Sequence, residues 1–221
     1  SLKSFYKFLL KTKTIQLNPL SKHKALKVQQ KKQVPFDQKE IEDVLFLMND
    51  ENDFESVRDK LIVELLYSTG IRRAELIQIK EENVDFRNAK IKVLGKRNKE
   101  RYITILPSVL KTLNRYLFLK KEFEISTEPA LLITKKGVKI YETLVYRTIN
   151  LYFSKVSTKA KKSPHIIRHA FATHLLNGGA SLNSVKELLG HSSLASTQVY
   201  THNSLEQIKK VFNMAHPRES N

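Results

Sequence analysis

The sequence predicts a mainly helical domain with one small antiparallel β-sheet, preceded by a single helix that belongs to a different domain. Three observations carry this. Apolar residues recur at helical spacing over most of the chain, and strand-like runs cluster only near residues 91–106. A polar, Lys-rich stretch bounded by Asn18-Pro19 and Val34-Pro35 separates the first helix from the rest, as a linker does. The expected division is therefore residues 1–33, a terminal helix plus a basic linker, and residues 34–221, the main domain.

Each element has its own signal. Ser1–Leu10 places Leu2, Phe5, Phe8 and Leu9 on one helical face that must pack on something. Asp37 with Glu40 three residues on makes a capping box, and Ile41, Val44, Leu45 and Met48 line one face of the helix that follows. A second helix covers Glu55–Ser68. Ile91–Leu94 and Arg101–Leu106 read as strands joined by the turn Gly95-Lys96-Arg97-Asn98-Lys99-Glu100, a hairpin with a basic tip. Pro107 opens a helix reaching Lys121, and Ala130–Thr134 is a candidate short strand. Helices then cover Glu142–Val156, Pro164–Leu176, Leu182–Leu189, Leu194–Val199 and Leu205–Phe212, punctuated by Gly178-Gly179 and Gly190.

Composition narrows the function. With 41% hydrophobic residues in 221, the chain can bury a sizeable core. No apolar run approaches the roughly 18 residues of a membrane span, and no secretory signal is present, which points to a cytoplasmic protein. Zero Cys rules out thiol chemistry and thiolate metal sites. Lys and Arg number 39 against 22 acids, a net charge of +17, and residues 1–35 hold nine Lys and no acid, so over half of the excess sits in one arm. Such an arm neutralises phosphates and releases their counterions, so nucleic acid is the expected partner, with an anionic membrane as the rival.

Chemistry-bearing residues follow the same order along the chain. Gly70 turns the chain and Arg72 starts a new helix, where phosphates are commonly met. Lys96 sits on the hairpin tip. Pro164 occupies a first helical position after the possible cap Ser163, and His165 and Arg168 then lie three apart on one face. His165 and His169 also have the i, i+4 spacing of a zinc helix, but Arg168 stands beside them and no Glu follows the first His, so the expectation is no metal. Gly190 ends a helix and presents His191, and Tyr200 follows nine residues later.

Taken in order, Thr69-Gly70-Ile71-Arg72, Gly95-Lys96, His165-x-x-Arg168, Leu189-Gly190-His191 and Tyr200 resemble the signature of the tyrosine recombinase (phage integrase) family, with local phrasing closest to the bacterial Xer recombinases. The resemblance spans residues 34–221 as that family's catalytic domain. Ser4-Phe5-Tyr6-Lys7-Phe8-Leu9 through Asn18-Pro19 is similar to the last helix of its N-terminal core-binding domain, most of which is absent from this sequence.

The resemblance implies a site-specific recombinase that cleaves and rejoins duplex DNA, with no cofactor. Tyr200 is then the nucleophile, Arg72, Arg168 and His191 bind the phosphate oxygens, His165 is the base and Lys96 the general acid. Such residue types suit the chemistry, because in-line attack on a phosphodiester builds charge on its non-bridging oxygens and a tyrosine needs a base to take its proton. Arg73, Lys99, Lys161 and Lys162 are candidate DNA contacts, Lys155 and Lys159 join them before the His165 helix, and Glu75 is a candidate buttress for an arginine. Family precedent further implies a tetramer with two subunits per site, Ser204–Phe212 docking into a neighbour, and an accessory or activating protein. Alternatives are a type IB topoisomerase, which relaxes supercoils alone, and a DNA-binding module that keeps the catalytic set only as structure.

Overall fold

The computed structural model describes residues 2–23, 34–95, 100–122 and 129–190, and the chain divides into two units, Ser1–Lys32 and Gln33–Asn221. Within the first unit, α1 (Leu2–Lys11) buries no residue, and Leu2, Phe5 and Phe8 are each more than half exposed.

Asp37 starts the ordered helices of the second unit. Its carboxylate accepts the Glu40 N–H at 2.8 Å, and the Glu40 carboxylate accepts the Asp37 N–H at 2.8 Å. This reciprocal cap begins α2 (Gln38–Leu47), which buries Ile41, Val44 and Leu45. Asp53 accepts the Ser56 N–H at 2.8 Å to start α3 (Phe54–Thr69). This helix is buried nearly all round, as a helix at the centre of a domain must be, and even Arg58 and Asp59 are buried, paired at 2.7 Å. α4 (Arg73–Ile77) follows, then a 3-10 turn at Glu81–Asn83.

The sheet has the order β1 (Val84–Asp85), β2 (Lys90–Leu94), β3 (Glu100–Thr104), antiparallel throughout, with Val93 opposite Arg101. β1 escapes sequence reading because two residues cannot show an alternation. Ile91, Val93 and Ile103 fill the inner face. The helices α5 (Pro107–Glu122), α6 (Glu142–Val156), α7 (Pro164–Asn177) and α8 (Leu182–Leu188) complete the described fold, with α3 packed between α5 and α7 and α2 against α6. Phe36 stacks on Phe153 with ring centroids 4.0 Å apart, tying the start of the unit to α6; burying such a side chain contributes about 1.5–3 kcal/mol.

One local expectation needs correction. Ala130–Thr134 is not a strand of the sheet; it makes only the isolated bridges Lys80↔Ala130 and Ile133↔Lys139. Leu131, Leu132 and Ile133 are buried, so their apolar run reflects burial, with isolated bridges instead of a place in the sheet. Ser163 is the N-cap of α7, its carbonyl accepting the Ile166 N–H at 2.9 Å while its side chain makes no capping bond, and Pro164 starts the helix by having no N–H to satisfy. Among the described residues, no helix is long and apolar enough to cross a membrane.

Candidate active site

The site begins where α3 stops. Gly70 takes a left-handed conformation (φ 59°) and donates its N–H to the Leu66 carbonyl at 3.1 Å, a position where a side chain would be strained. The chain then turns so that Arg72 becomes the N-cap of α4. Glu75, at the third position of that helix, accepts the Arg72 backbone N–H on Oε2 at 3.0 Å and the Arg72 guanidinium on Oε1 at 2.8 Å. One carboxylate thus closes the helix start and aims the arginine.

Arg168, one turn after His165 on α7, reaches the same place. Its Nη1 donates to the Gly70 carbonyl and its Nη2 to the Leu189 carbonyl at 2.7 Å, while Arg72 Nη2 donates to the Gly190 carbonyl at 3.2 Å. The carbonyls just beyond α8 are left over at a helix C-terminus, where cations are favoured. Both arginines are therefore gathered on the Leu189-Gly190 turn, with Gly190 at φ 63°.

A third guanidinium completes the cluster. Arg101, from β3, grips Glu75 with Nη1 on Oε1 at 3.0 Å and Nη2 on Oε2 at 2.8 Å. Burial alone would raise the Glu75 carboxyl, but hydrogen bonds from Arg101 and the Arg72 amide outweigh it and hold the group down at about 2. Burial, then repulsion from Arg72, brings Arg168 down to about 10, still charged at neutral pH. Three cations surround one carboxylate, so the cluster keeps a net positive charge, and the Arg72 side chain is 34% exposed. A guanidinium carries five donors, and the described anchors use only some of them. Preorganised, partly desolvated cations of this kind suit a phosphodiester on which charge develops.

A family model described as the phage integrase family matches residues 10–207. The chain belongs to that family. It is 34% identical over 238 residues to a tyrosine recombinase XerC of Chlorobaculum parvum, covering 98% of this chain and 71% of that relative. It is 39% identical over 223 residues to a tyrosine recombinase XerC of Anoxybacillus flavithermus, covering 99% and 74%. Its fold is similar to that of the crystal structure of XerA recombinase, with a TM-score of 0.65 and 25% identity over 98% of this chain and 74% of that one.

Among the family-signature residues, the fold brings Arg72 and Arg168 together, while His165 is exposed on the first turn of α7. Lys96, Lys99, His191, Tyr200 and the Ser204–Phe212 segment lie outside the described residues, as do the expected helices after Gly190. Arg73 donates to Glu142 at 2.6 Å, an ion pair linking α4 to α6. Lys161 is exposed and Lys162 half-buried in the loop before α7. Lys159, in the same loop, bonds Glu40 and lies over the Phe36 ring at 5.9 Å, clasping that loop to α2. Lys155 lies over the Tyr152 ring at 5.2 Å.

Two participants were not singled out by sequence reasoning. Arg101 is one. The other is the buried pair Tyr67 and His174, whose hydroxyl and Nδ1 are 2.8 Å apart and which fastens α3, carrying Gly70, to α7, carrying Arg168.

Glu75 gives a prediction for acid stability. Its folded-state value of about 2 lies below the ordinary 4.5, so its stabilisation is present above the ordinary value and is lost as pH falls toward 2. Glu75→Gln should cost on the order of 3 kcal/mol at pH 7, from the size of that depression. Denaturant titrations of both proteins should converge between pH 5 and pH 2; a constant gap would mean that Glu75 is not ionised in the cluster.

Proposed function

We propose that this chain is a site-specific tyrosine recombinase of Xer type that cleaves and rejoins duplex DNA. The observation that carries the reading is the convergence of Arg72 and Arg168 on the Leu189-Gly190 turn, from which the chain runs into His191 and Tyr200. In the proposed reaction the Tyr200 oxygen attacks phosphorus and His165 takes the phenolic proton. The bond to the 5′-oxygen breaks, and Lys96 protonates that leaving oxygen, giving a 3′-phosphotyrosyl ester and a 5′-hydroxyl. A 5′-hydroxyl of the partner strand then attacks the ester, giving its proton to Lys96, and the Tyr200 oxygen leaves with the proton held by His165. One ester is exchanged for another at each step, so ATP is not needed. Arg72 and Arg168, with His191, hold the non-bridging oxygens as charge builds on them.

Duplex DNA is the partner that the +17 charge suits, with Arg73, Lys99, Lys161 and Lys162 the proposed contacts. Two subunits per site and two sites make a tetramer, Ser204–Phe212 of each subunit docks into a neighbour, and an accessory protein activates the assembly. The biological task is chromosome-dimer resolution or the integration and excision of a mobile element, carried out in the cytoplasm at the nucleoid.

A supercoiled plasmid with two candidate sites in direct repeat tests the function. The reading predicts two recombinant circles, dependent on both sites. Relaxed topoisomers formed without any site preference would identify a topoisomerase instead.

A further inference from the structure

We propose that Arg101 is a positioning residue for DNA cleavage, holding the Glu75 carboxylate by both oxygens so that the Arg72 fork stays fixed and only partly neutralised. The proposal rests on the reading of Arg72 as a phosphate-binding residue.

The placement of Arg101 on its strand is the first support. Along β3, Glu100 and Tyr102 are exposed while Arg101 lies on the inner side with Ile103, directly across the ladder from the buried Val93. An inward-facing strand position is normally apolar, and a cation there is costly unless it is paired. Arg101 is paired through Glu75, and its own Nε–H, also buried, has no acceptor among the described residues. Its polar hold is therefore the two-pronged bond to that carboxylate.

The second support is how Glu75 is shared. Each of its oxygens takes one donor from Arg72 and one from Arg101. A carboxylate gripped from one side by Arg101 cannot swing fully onto Arg72, so Arg72 keeps charge for an anion. Arg101 also flanks the turn that Arg72 contacts, since a Cβ built at Gly190 would lie 3.4 Å from the Arg101 Cζ. Arg101 thus holds the Glu75 carboxylate that orients Arg72 and lies beside the Gly190 turn that Arg72 contacts. A lysine delivers charge as a single point and cannot reproduce the fork.

Arg101→Lys, Glu75→Gln and the double variant test this in single-turnover cleavage of nicked DNA, with DNA affinity and thermal stability measured alongside. Arg101→Lys should remain folded, bind DNA within about threefold of wild type, and cleave about ten- to a hundredfold more slowly, the usual cost of losing a supporting contact. In the Glu75→Gln background the same substitution should add little, because Arg101 acts through Glu75. Cleavage by Arg101→Lys at the wild-type rate, or penalties that simply multiply in the double variant, would overturn the proposal. Should Arg101→Lys fail to fold, Arg101→Gln, which keeps an amide donor but not the fork, takes its place: cleavage at the wild-type rate refutes the proposal, and slow cleavage with intact binding that adds little in the Glu75→Gln background supports it. Absence of any covalent adduct from the wild-type protein is a different result, and it removes the recombinase reading itself.

Discussion

Arg168→Ala should slow single-turnover DNA cleavage by about a hundred- to a thousandfold, the cost of removing a preorganised donor from developing negative charge. DNA affinity should fall far less, because most of the +17 charge remains. Arg168 has a second duty, joining the Gly70 and Leu189 carbonyls. Removing it leaves those carbonyls unpaired, and each buried orphan costs about 1–3 kcal/mol. Arg168→Lys should not restore cleavage, since one ammonium cannot span both carbonyls and still present a fork. Rapid-quench cleavage alongside filter binding separates the effects. A parallel drop in affinity and rate would make Arg168 a DNA-binding residue with no special part in the chemistry.

Gly70→Ala should be strongly destabilising. Gly70 has φ 59°, and an added Cβ would sit 2.4 Å from Cδ1 of Phe171 and 2.8 Å from a Leu189 methyl. Both neighbours are core residues on the elements that carry and contact Arg168. Left-handed strain and overpacking together should cost about 2–5 kcal/mol, lowering the melting temperature by roughly 5–15 °C for a chain of this size. Because the Gly70 carbonyl anchors Arg168, cleavage should fall even at temperatures where the variant is folded. Calorimetry and cleavage at 20 °C check both parts; a variant that loses stability but cleaves normally would show that the Gly70 turn does not position the site.

The sequence made legible those features whose cause is local. The Asp37–Glu40 cap, the bounds of α3 and α6, and the turns at Gly70 and Gly190 are written within a few residues of where they act. Arg72 and Arg168 were legible by motif, and the fold supplies the carbonyls that gather them. What stayed hidden depends on partners far away in the chain. Tyr67 and His174 are 107 positions apart, and no spacing rule joins them. The role of Arg101 emerges only once β2–β3 register and the side of the sheet are known; the available hint was a cation where strand alternation demands an apolar residue. Ala130–Thr134 misled because a short apolar run looks the same whether it joins a sheet or is buried with only isolated bridges.

The central claim is that this arginine cluster serves a covalent reaction at Tyr200. It is tested most directly with a nicked suicide duplex, whose short cleaved fragment diffuses away and prevents resealing. The wild-type protein should form a denaturation-resistant protein–DNA adduct mapping to the Tyr200 peptide, and Tyr200→Phe should bind the duplex but form none. An adduct that survives Tyr200→Phe, or no adduct from the wild-type protein on a site it binds, would contradict the account.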